Sequence, residues 1–336
     1  MSLLKLSTMN HELIARLRCP KSRQLLTLVT DKDGSEWLCT SGDQQRYPVR
    51  NGIPRFVPES NYADNFGMQW NQFAKTQLDS HSGQPISADR FWKATGWNMT
   101  EMRDKWVLDV GCGSGRFAEV ALSTGAHVVA LDYSSAVDAC WANLKHYSRL
   151  HVVQGDIYAL PFAPDTFDYV YSLGVLQHTP DVAKAFAALP PMLLGGGRIC
   201  VDYYEKSFKT YLHPKTWLRP ITRRMNKHQL FSMVKAAIPV LLPISRNLAR
   251  LPNSIGVILR RLIPVANYEG VYPLSESQLY EWALLDTFDW LSPVYDNPQT
   301  RATVHKWAEQ AALCDVQVLR AGHLVVRGLK EKEGSK

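Results

Sequence analysis

Between Lys105 and Tyr204 the sequence alternates apolar strand segments with helical segments. The five segments with strand character are WVLDVG, HVVALDYS, LHVVQGD, FDYVYSLGVL and GRICVDYY. Strands that alternate with helices of this length pack as a parallel sheet with helices on both faces. Two later segments, VQVLRAG and HLVVRGL, predict a hairpin that completes the sheet. We therefore expect a doubly wound, Rossmann-like α/β fold with a mostly parallel seven-stranded sheet.

The rest of the chain does not follow this alternation. The N-terminal part is rich in strand and turn signals, including Asn51-Gly52. An aromatic-rich helical stretch follows it, and a second helical stretch is inserted before the closing hairpin. The predicted units are a β-rich module (12–58), a helical lid (61–104), a ligand-binding core (105–205), a basic and mainly helical cap (206–300), and a closing helix with its hairpin (301–330).

Cysteine usage and hydropathy point to a cytoplasmic protein. The six cysteines have no regular spacing, which fits a reducing compartment better than a secreted disulfide scaffold. The N-terminus carries charges throughout, so we expect no signal peptide there. No stretch of about 18 apolar residues is uninterrupted, so we expect no spanning helix.

A glycine cluster follows the first strand, in the stretch VLDVGCGSGRF. Gly111, Gly113 and Gly115 give a G-x-G-x-G spacing, whereas a dinucleotide fold would have a further glycine where this chain has Arg116. The loop leads into a helix whose N-terminus can donate backbone N–H groups. Asp132 ends the second strand about 20 residues later, where a carboxylate can accept both hydroxyls of a ribose.

Together these motifs resemble the class I S-adenosylmethionine-dependent methyltransferases, over residues 105–204. The resemblance implies S-adenosylmethionine as the cofactor, which has no pyrophosphate and so needs no further glycine. It implies a methionine site after the first strand, a ribose site after the second, an adenine site after the third and a sulfonium site after the fourth. The implied residues are Asp109, Gly111, Cys112 and Gly113; Asp132, Tyr133 and Ser134; Asp156 and Ile157; and Leu173 and Gly174.

The stretch NYADNFGMQWNQFAKTQLD lies where related enzymes place a lid over the cofactor. Its aromatic residues could close over the methionine end, with Tyr62 as the predicted contact. The alternative is an aromatic stripe that packs a helix on the sheet. The residues concerned are Tyr62, Phe66, Trp70 and Phe73, with Arg90 and Phe91 as weaker candidates.

The N-terminal module resembles the small zinc ribbon that accompanies several methyltransferases. A ribbon needs two C-x-x-C pairs, and here each pair has lost its second cysteine, which leaves Cys19 with Ser22 and Cys39 with Gly42. Two thiolates do not complete a tetrahedral site. We therefore expect a ribbon-shaped module without a metal, and no Cys19–Cys39 bridge in a reducing cytosol.

Candidate catalytic residues follow strands four and five, where substrates bind in open α/β sheets. An alcohol acceptor needs a general base, whereas an amine, a thiol or a stabilised carbanion needs less help. His178 is the first candidate, although Thr179-Pro180-Asp181 is also a helix-capping sequence. Asp202 and Tyr203, together with Tyr204, could line the acceptor pocket.

The stretch LLDTFDWLSPVYDNPQT, residues 284–300, combines acidic and aromatic residues. We interpret it as a loop-like pocket wall, with a surface loop as the alternative.

The positive charge is concentrated in one segment. Residues 206–265 contain twelve Lys and Arg and no Asp or Glu, although the whole chain carries only +7. The apolar runs in this segment are about ten residues long, which suits interfacial helices better than a membrane span. We expect a cap over the active site, with peripheral contact at an anionic inner membrane face as a second hypothesis. In that hypothesis Arg246, Arg250, Arg260 and Arg261 face the headgroups.

Three functions remain open at this point. The first is a methyltransferase for a small-molecule or lipid-like acceptor, with O-, N- or C-methylation unresolved. The second is an RNA methyltransferase that uses the basic segment and the module. The third is a cofactor-binding partner without activity, which the intact glycine loop and the two acids disfavour. Long aliphatic runs, in place of aromatic platforms, make nucleic acid the less favoured partner.

Overall fold

The computed structural model of the protein describes residues 9–58, 61–207, 214–251 and 253–332. Two β-sheets account for the strands. In chain order the strands are β1 Thr27–Thr30, β2 Glu36–Cys39, β3 Arg46–Arg50, β4 Ile53–Pro54, β5 Trp106–Val110, β6 His127–Asp132, β7 Leu150–Gln154, β8 Phe167–Ser172, β9 Leu193–Tyr203, β10 Leu313–Ala321 and β11 His323–Lys330.

Helices lie before, between and after these strands. The α-helices are α1 His11–Arg16, α2 Asp64–Gln72, α3 Asp79–Ser82, α4 Ile86–Thr95, α5 Arg116–Ser123, α6 Ala136–Leu144, α7 Val182–Ala187, α8 Pro214–Thr222, α9 Lys227–Ala249, α10 Asn253–Arg261, α11 Glu276–Leu291 and α12 Arg301–Gln310. Short 3-10 turns cover Ser41–Asp43, Thr100–Met102, Ile157–Ala159, Leu176–His178 and Pro190–Met192.

The larger sheet has seven strands in the order β10-β11-β9-β8-β5-β6-β7. β5 to β9 pair in parallel, and β11 runs antiparallel to both β9 and β10. The predicted Rossmann-like, mostly parallel sheet and its closing hairpin are confirmed. Because the parallel strands end at one edge, the loops after β5, β6, β7 and β8 meet there.

The N-terminal module is a four-stranded antiparallel sheet, β1-β2-β3-β4. It is joined to the outer strand of the large sheet, because Arg55 bridges Gln154 in parallel and the Phe56 N–H donates to the Gln154 carbonyl at 2.9 Å. Leu17 forms a second, antiparallel bridge to Phe162. The module therefore covers the exposed edge of β7.

Three apolar clusters hold the layers together. One joins the N-terminal module to one face of the large sheet and includes Leu17, Leu38 and Phe162. The second fills the opposite face beneath α4 and α5. The third packs α9 and α11 against α2, with Ile238 and Phe288 fully buried. The insertion is thus packed onto the lid segment.

The stretch 284–300 differs from its prediction as a loop, because α11 runs through Leu291. This helix begins with a capping box in which Ser275 Oγ accepts from the Gln278 N–H at 3.4 Å, and Gln278 Oε1 accepts from the Ser275 N–H at 2.9 Å. The sequence S-E-S-Q carries that signal, so the turn-rich appearance of the later residues was misleading.

The basic segment forms longer helices than its short apolar runs predict. α9 spans 23 residues and continues through Pro239 and Pro243. Both prolines are exposed, so water can hydrate the carbonyls whose helical bonds they remove. Among the described residues, α9 is the single helix with the length and composition to cross a membrane, and 28% of its most apolar window is buried.

Candidate active site

A cavity of about 750 Å3 lies at the carboxyl edge of the parallel strands. The loops after β5, β6, β7 and β8 line one side, and residues of α2, α4 and α11 line the other. Its volume is typical of small-molecule sites. The predicted cofactor residues that line it are Tyr62, Gly111, Cys112, Gly113, Asp132, Tyr133, Ile157, Leu173 and Gly174. Asp109, Ser134 and Asp156 lie beside these residues in the chain.

The glycine loop is shaped by close contacts that exclude side chains. Gly111 has φ +87°, and a Cβ there would lie 2.4 Å from Val175 Cγ2. Gly115 has φ +96°, and a Cβ there would lie 2.6 Å from Leu144 Cδ1. Both positions therefore require glycine. The loop backbone consequently stays open towards the cavity.

Asp132, the residue predicted to bind the ribose, is hydrogen-bonded to the glycine loop. Its Oδ2 accepts from the Gly113 N–H at 2.9 Å, and its Oδ1 accepts from the Ser134 N–H at 2.8 Å and from Ser134 Oγ at 2.7 Å. Ser134 is fully buried and does not line the cavity. Its place is therefore beneath Asp132, which it orients.

Asp109 is a buried carboxylate with an unused acceptor. It is 2% exposed, and its Oδ2 has no hydrogen-bond partner among the described residues. Burial raises the pKa of this carboxyl group to about 8. An amino group on a ligand in the loop would supply the missing donor. Asp109 itself lies behind the cavity wall, so its contact with the ammonium end of S-adenosylmethionine stays a prediction.

Aromatic and apolar groups surround the predicted adenine position. Tyr62 stacks on Tyr133 with ring centroids 5.0 Å apart. Ile157 lies in the loop after β7, next to Asp156, whose Oδ1 accepts from the Tyr158 N–H at 2.9 Å. Asp156 thus begins a short turn at the rim of the cavity.

Asp202 joins Gly174, at the predicted sulfonium position, to the lid segment. Its Oδ2 pairs with the Arg90 guanidinium at 2.8 Å, and its Oδ1 accepts from the Gly174 N–H. Asp202 is 2% exposed and does not line the cavity, whereas Arg90 and Gly174 do. Asp202 therefore supports Arg90 and Gly174 from behind the cavity wall, and the prediction that it lines the acceptor pocket is wrong.

His178 lies on the cavity wall with one nitrogen occupied. Its Nδ1 lies 3.0 Å from the Tyr295 carbonyl oxygen. Because a carbonyl can only accept, Nδ1 carries the proton and Nε2 is the basic nitrogen. Burial lowers the pKa of the imidazole, which favours the neutral ring. The ring is therefore held in the form that a general base requires.

The prediction of Tyr203 as a catalytic residue is wrong. Its side chain is fully buried in the core beneath α12, with its ring 6.2 Å from that of Trp307. Consecutive residues of a strand point to opposite faces, so Asp202 and Tyr203 cannot share a pocket. Tyr204, which follows the strand, lines the cavity with its ring 5.5 Å from that of His178.

The lid segment contributes three of its four aromatic residues to the cavity. Tyr62, Phe66 and Trp70 line it, whereas Phe73 packs against Phe231 in the cluster under α9. The stripe thus divides: Tyr62, before α2, and Phe66 and Trp70, within it, face the cavity, whereas Phe73, just after α2, packs in the core. Closure of the lid over the methionine end stays a prediction.

The insertion supplies a polar wall that sequence reasoning identified only in part. Asp286, Asp289 and Trp290 line the cavity as expected of a pocket wall. Trp282 also lines it, and its spacing to Asp286 and Asp289 places all three on one face of a helix. That spacing was the available signal.

A hydrogen-bonded chain links this wall to the glycine loop. Tyr268 Oη donates to Asp286 Oδ2, Gln77 Nε2 donates to Asp286 Oδ1 at 3.2 Å, and Arg116 donates to Gln77 Oε1 at 2.6 Å. Burial raises the pKa of Asp286 to about 6 and lowers the pKa of Arg116 to about 10. These partners are distant in sequence, and no local pattern predicts them.

Residues Tyr272 and His323 were also missed. The Tyr272 ring lies 5.3 Å from Tyr268 and 5.3 Å from Trp282, which gives a three-ring aromatic wall. His323 begins β11 and contacts the Tyr204 ring at 5.5 Å. Both line the cavity.

The N-terminal cysteines lie away from the cavity. Cys19 and Cys39 are buried, and no disulfide joins them in the described part of the chain. Cys19 Sγ accepts from the Ser22 N–H at 3.4 Å and lies 3.3 Å from Tyr47 Oη. The serine at the lost cysteine position therefore still contacts the remaining thiol, and the zinc-ribbon relationship stays a prediction.

One group of possible metal ligands lies at the amino ends of β6 and β7, opposite the cavity. Ligand atoms of Glu12, His127 and His151 lie within 4.8 Å of one another. Burial lowers the pKa of His127, and the nearby Arg149 lowers it further. This positive surrounding opposes a cation, so the group is better explained as a packed ring stack with Trp106.

Comparison with known proteins identifies the central domain. Residues 108–201 match the family described as a methyltransferase domain. The chain is 32% identical over 136 residues to the ubiquinone biosynthesis O-methyltransferase of Aromatoleum aromaticum, covering 39% of this chain and 56% of the relative. It is 36% identical over 96 residues to sterol 24-C-methyltransferase ERG6B of Gibberella zeae, covering 27% of this chain and 25% of the relative.

Among solved structures, the fold is similar to a putative S-adenosylmethionine-dependent methyltransferase from Methanococcus maripaludis. The identity is 15%, the match covers 83% of this chain and 99% of that chain, and the TM-score is 0.44. The chain spans about half or less of the length of the curated relatives named above. The family match therefore places a methyltransferase domain at residues 108–201, within the α/β core that bears the cavity.

Proposed function

We propose that the chain is an enzyme that methylates a small-molecule or lipid-like acceptor with S-adenosylmethionine. The observation that carries the proposal is the enclosure of the glycine loop and of His178 in one cavity, walled by α2 and α11. An in-line transfer needs an oriented acceptor and the exclusion of water, and a walled cavity provides both. The sulfonium of the bound cofactor supplies the electrophilic methyl group.

The cofactor is held by residues at the ends of four neighbouring strands, β8, β5, β6 and β7. Asp132 accepts the ribose hydroxyls, Asp109 faces the amino group, and Ile157 packs on the adenine. Gly174 lies beneath the reacting centre, with its position fixed by the hydrogen bond to Asp202. All four roles remain proposals about this chain.

His178 acts as general base when the acceptor is a hydroxyl. The acceptor's proton passes to Nε2, because Nδ1 is already protonated and bonded to Tyr295. The ring edge of Tyr204 supports the imidazole on one side. The acceptor atom is left open, since the relatives are named for O-methylation and for C-methylation.

The acceptor class follows from the wall that faces the cofactor site. Tyr268, Tyr272 and Trp282 present a broad aromatic surface, which favours a ring or an apolar chain. Two relatives are named for ubiquinone and sterol methylation, and both names denote lipid-like acceptors. RNA methylation is less favoured, because Arg246 and Arg250 of the basic segment pair with Glu269.

Two measurements test the proposal. Calorimetry should detect S-adenosylmethionine binding to the purified chain and none to NAD. Labelled methyl groups should then enter a lipid or small-molecule extract when the chain is added, and the Asp132→Ala protein is the matched negative control. Transfer only into RNA would replace the proposal with the nucleic-acid alternative. Absence of cofactor binding would rule out both methyltransferase functions.

A further inference from the structure

Exposed apolar side chains are concentrated in one part of the molecule. Sixteen large apolar residues are exposed among the described residues, and ten of them lie between Trp217 and Leu262. A soluble surface normally scatters such residues singly. The ten are Trp217, Leu218, Ile221, Met233, Val240, Ile244, Leu251, Ile255, Ile258 and Leu262.

Helical spacing arranges these residues in stripes. On α9, Met233, Val240 and Ile244 are separated by seven and four residues, so they share one face. On α10 and just after it, Ile255, Ile258 and Leu262 also share one face. Each helix therefore has an apolar stripe that nothing in the described structure covers.

α9 and α10 pack tightly against each other as a hairpin, which we call the 227–261 hairpin. A Cβ at Gly256 would lie 2.5 Å from the Leu248 carbonyl oxygen and 2.8 Å from that of Leu251. This backbone contact fixes the two helices close together. Their stripes are therefore carried by one unit.

Cations without acidic partners accompany the stripes. Within the described ranges, no carboxylate lies within ion-pair distance of Arg223, Arg224, Lys235, Arg260 or Arg261. The wider segment 206–265 contains no acidic residue at all. The prediction that Arg246 and Arg250 face headgroups is not supported, because both pair with Glu269. The partner of this surface must supply negative charge and an apolar phase together.

The packing of α9 argues for an orientation along a surface. Leu230, Val234 and Ile238 on its other face are buried against the core that contains Phe288. Lys235 and Arg246 lie in the middle and near the end of the helix. A transmembrane orientation would strip these core contacts and place Lys235 in hydrocarbon, which is costly.

We infer that the 227–261 hairpin is a docking surface for an anionic lipid bilayer and lies in its interfacial plane. The exposed isoleucines enter the acyl boundary, and Arg261, which flanks the α10 stripe, contacts acidic headgroups. Arg260 and Lys235 lie on the sides of their helices away from the stripes and add to the positive charge near the surface. Each unpaired cation adds about 1 kcal/mol at an anionic surface, so several cations and the stripes suffice for reversible binding. This inference does not depend on the methyl-transfer proposal.

Vesicle flotation of the full chain tests the inference. We expect binding to vesicles of phosphatidylcholine with phosphatidylglycerol at about 0.15 M salt, and at least about tenfold weaker binding to phosphatidylcholine alone. The variant Ile255→Asp/Ile258→Asp should lose at least about tenfold in affinity. Leu25→Asp, a comparably exposed site in the N-terminal module, should bind like the wild type.

A charge variant separates the two contributions. Arg260→Glu/Arg261→Glu should abolish the preference for anionic vesicles while the midpoint of urea unfolding stays unchanged, which shows that the protein is folded. Equal flotation of the isoleucine variant and the wild type would overturn the inference. So would a concentration-dependent dimer that Ile255→Asp/Ile258→Asp dissociates, because the occupant would then be a second copy of the chain.

Discussion

Arg90 and Asp202 form an ion pair of 2.8 Å between α4 and the end of β9. Asp202 is almost completely buried, and its second oxygen holds the Gly174 N–H. The pair therefore connects the lid segment to the loop beneath the proposed reacting centre. Removal of the pair should lower the free energy of unfolding and should also disturb the predicted cofactor site.

Replacement of Asp202 by alanine should cost about 3 kcal/mol of unfolding free energy, because Arg90 is left without its counter-charge in a largely buried position. Urea unfolding measures this cost. The double variant Arg90→Met/Asp202→Ala should recover part of it, since the unpaired charge is gone. Additive losses in the double variant would show that the two residues do not interact.

Asp109→Asn should stabilise the ligand-free protein while weakening cofactor binding. The folded carboxyl group has a pKa of about 8, raised by burial, against about 3.9 in an unfolded chain. The folded state therefore binds more protons between these values, and stability falls as pH rises through that window. The advantage of Asp109→Asn should grow by about 1 kcal/mol or more from about pH 5 to about pH 8.5.

Urea unfolding at the two pH values checks this expectation, and calorimetry checks the cofactor affinity. Parallel stability curves for the two proteins would contradict it. Asp33→Asn, at a fully exposed position, provides the control substitution.

Asp132→Ala should raise the dissociation constant for S-adenosylmethionine by at least about 100-fold, since it removes the proposed ribose acceptor and leaves the Gly113 N–H unpaired. Calorimetry gives the constant directly. Asp165→Ala lies outside the cavity and should bind the cofactor normally. Wild-type affinity in Asp132→Ala would remove this residue from the cofactor site.

His178→Gln should lower kcat by about 100-fold or more for a hydroxyl acceptor. Burial lowers the pKa of His178, so the neutral base persists to a lower pH than for an ordinary histidine. Wild-type activity should fall on the acid side of the ordinary histidine pKa, where the ring becomes protonated, and the variant should lack this limb. The exposed His228→Gln is the control, and near-normal turnover in His178→Gln would show that the base role is wrong.

Arg55→Met tests whether the N-terminal module supports the cofactor site. The Arg55 guanidinium donates to Gln154 Oε1 at 2.9 Å and pairs with Asp138, and Gln154 Nε2 donates to the Tyr133 carbonyl at 3.2 Å. Loss of these hydrogen bonds should loosen the segment around Tyr133 and weaken cofactor affinity several-fold. Arg50→Met, on the exposed side of β3, is the control; equal affinities in the two variants would limit the module to a structural role.

The large sheet was predictable because each strand and helix carries a local signal. The fold places the glycine loop, Asp132 and Ile157 at one edge for the same reason: parallel strands end together. Which side chains of β9 point towards the cavity was not predictable, because every residue from Cys200 to Tyr203 is buried. The strand therefore shows no alternation of apolar and polar residues. Tyr203 was consequently assigned to the wrong side.

Long-range partners account for most of what the sequence did not reveal. Gln77 and Asp286 meet across 209 residues, and Arg90 and Asp202 across 112. Nothing local distinguishes these side chains from solvated ones. The 23-residue length of α9 was not apparent from apolar runs of about ten residues, because the helix continues through two prolines that its exposed face tolerates.

The backbone hydrogen bond from Phe56 to Gln154, which joins the N-terminal module to β7, also affects self-association. A sheet whose outer strand keeps unused N–H and C=O groups is a template on which another strand can grow. Here residues of the same chain terminate that growth on the β7 side. Without the first fifty-odd residues, the sheet would lack this terminator, and neighbouring molecules could extend it sideways into aggregates.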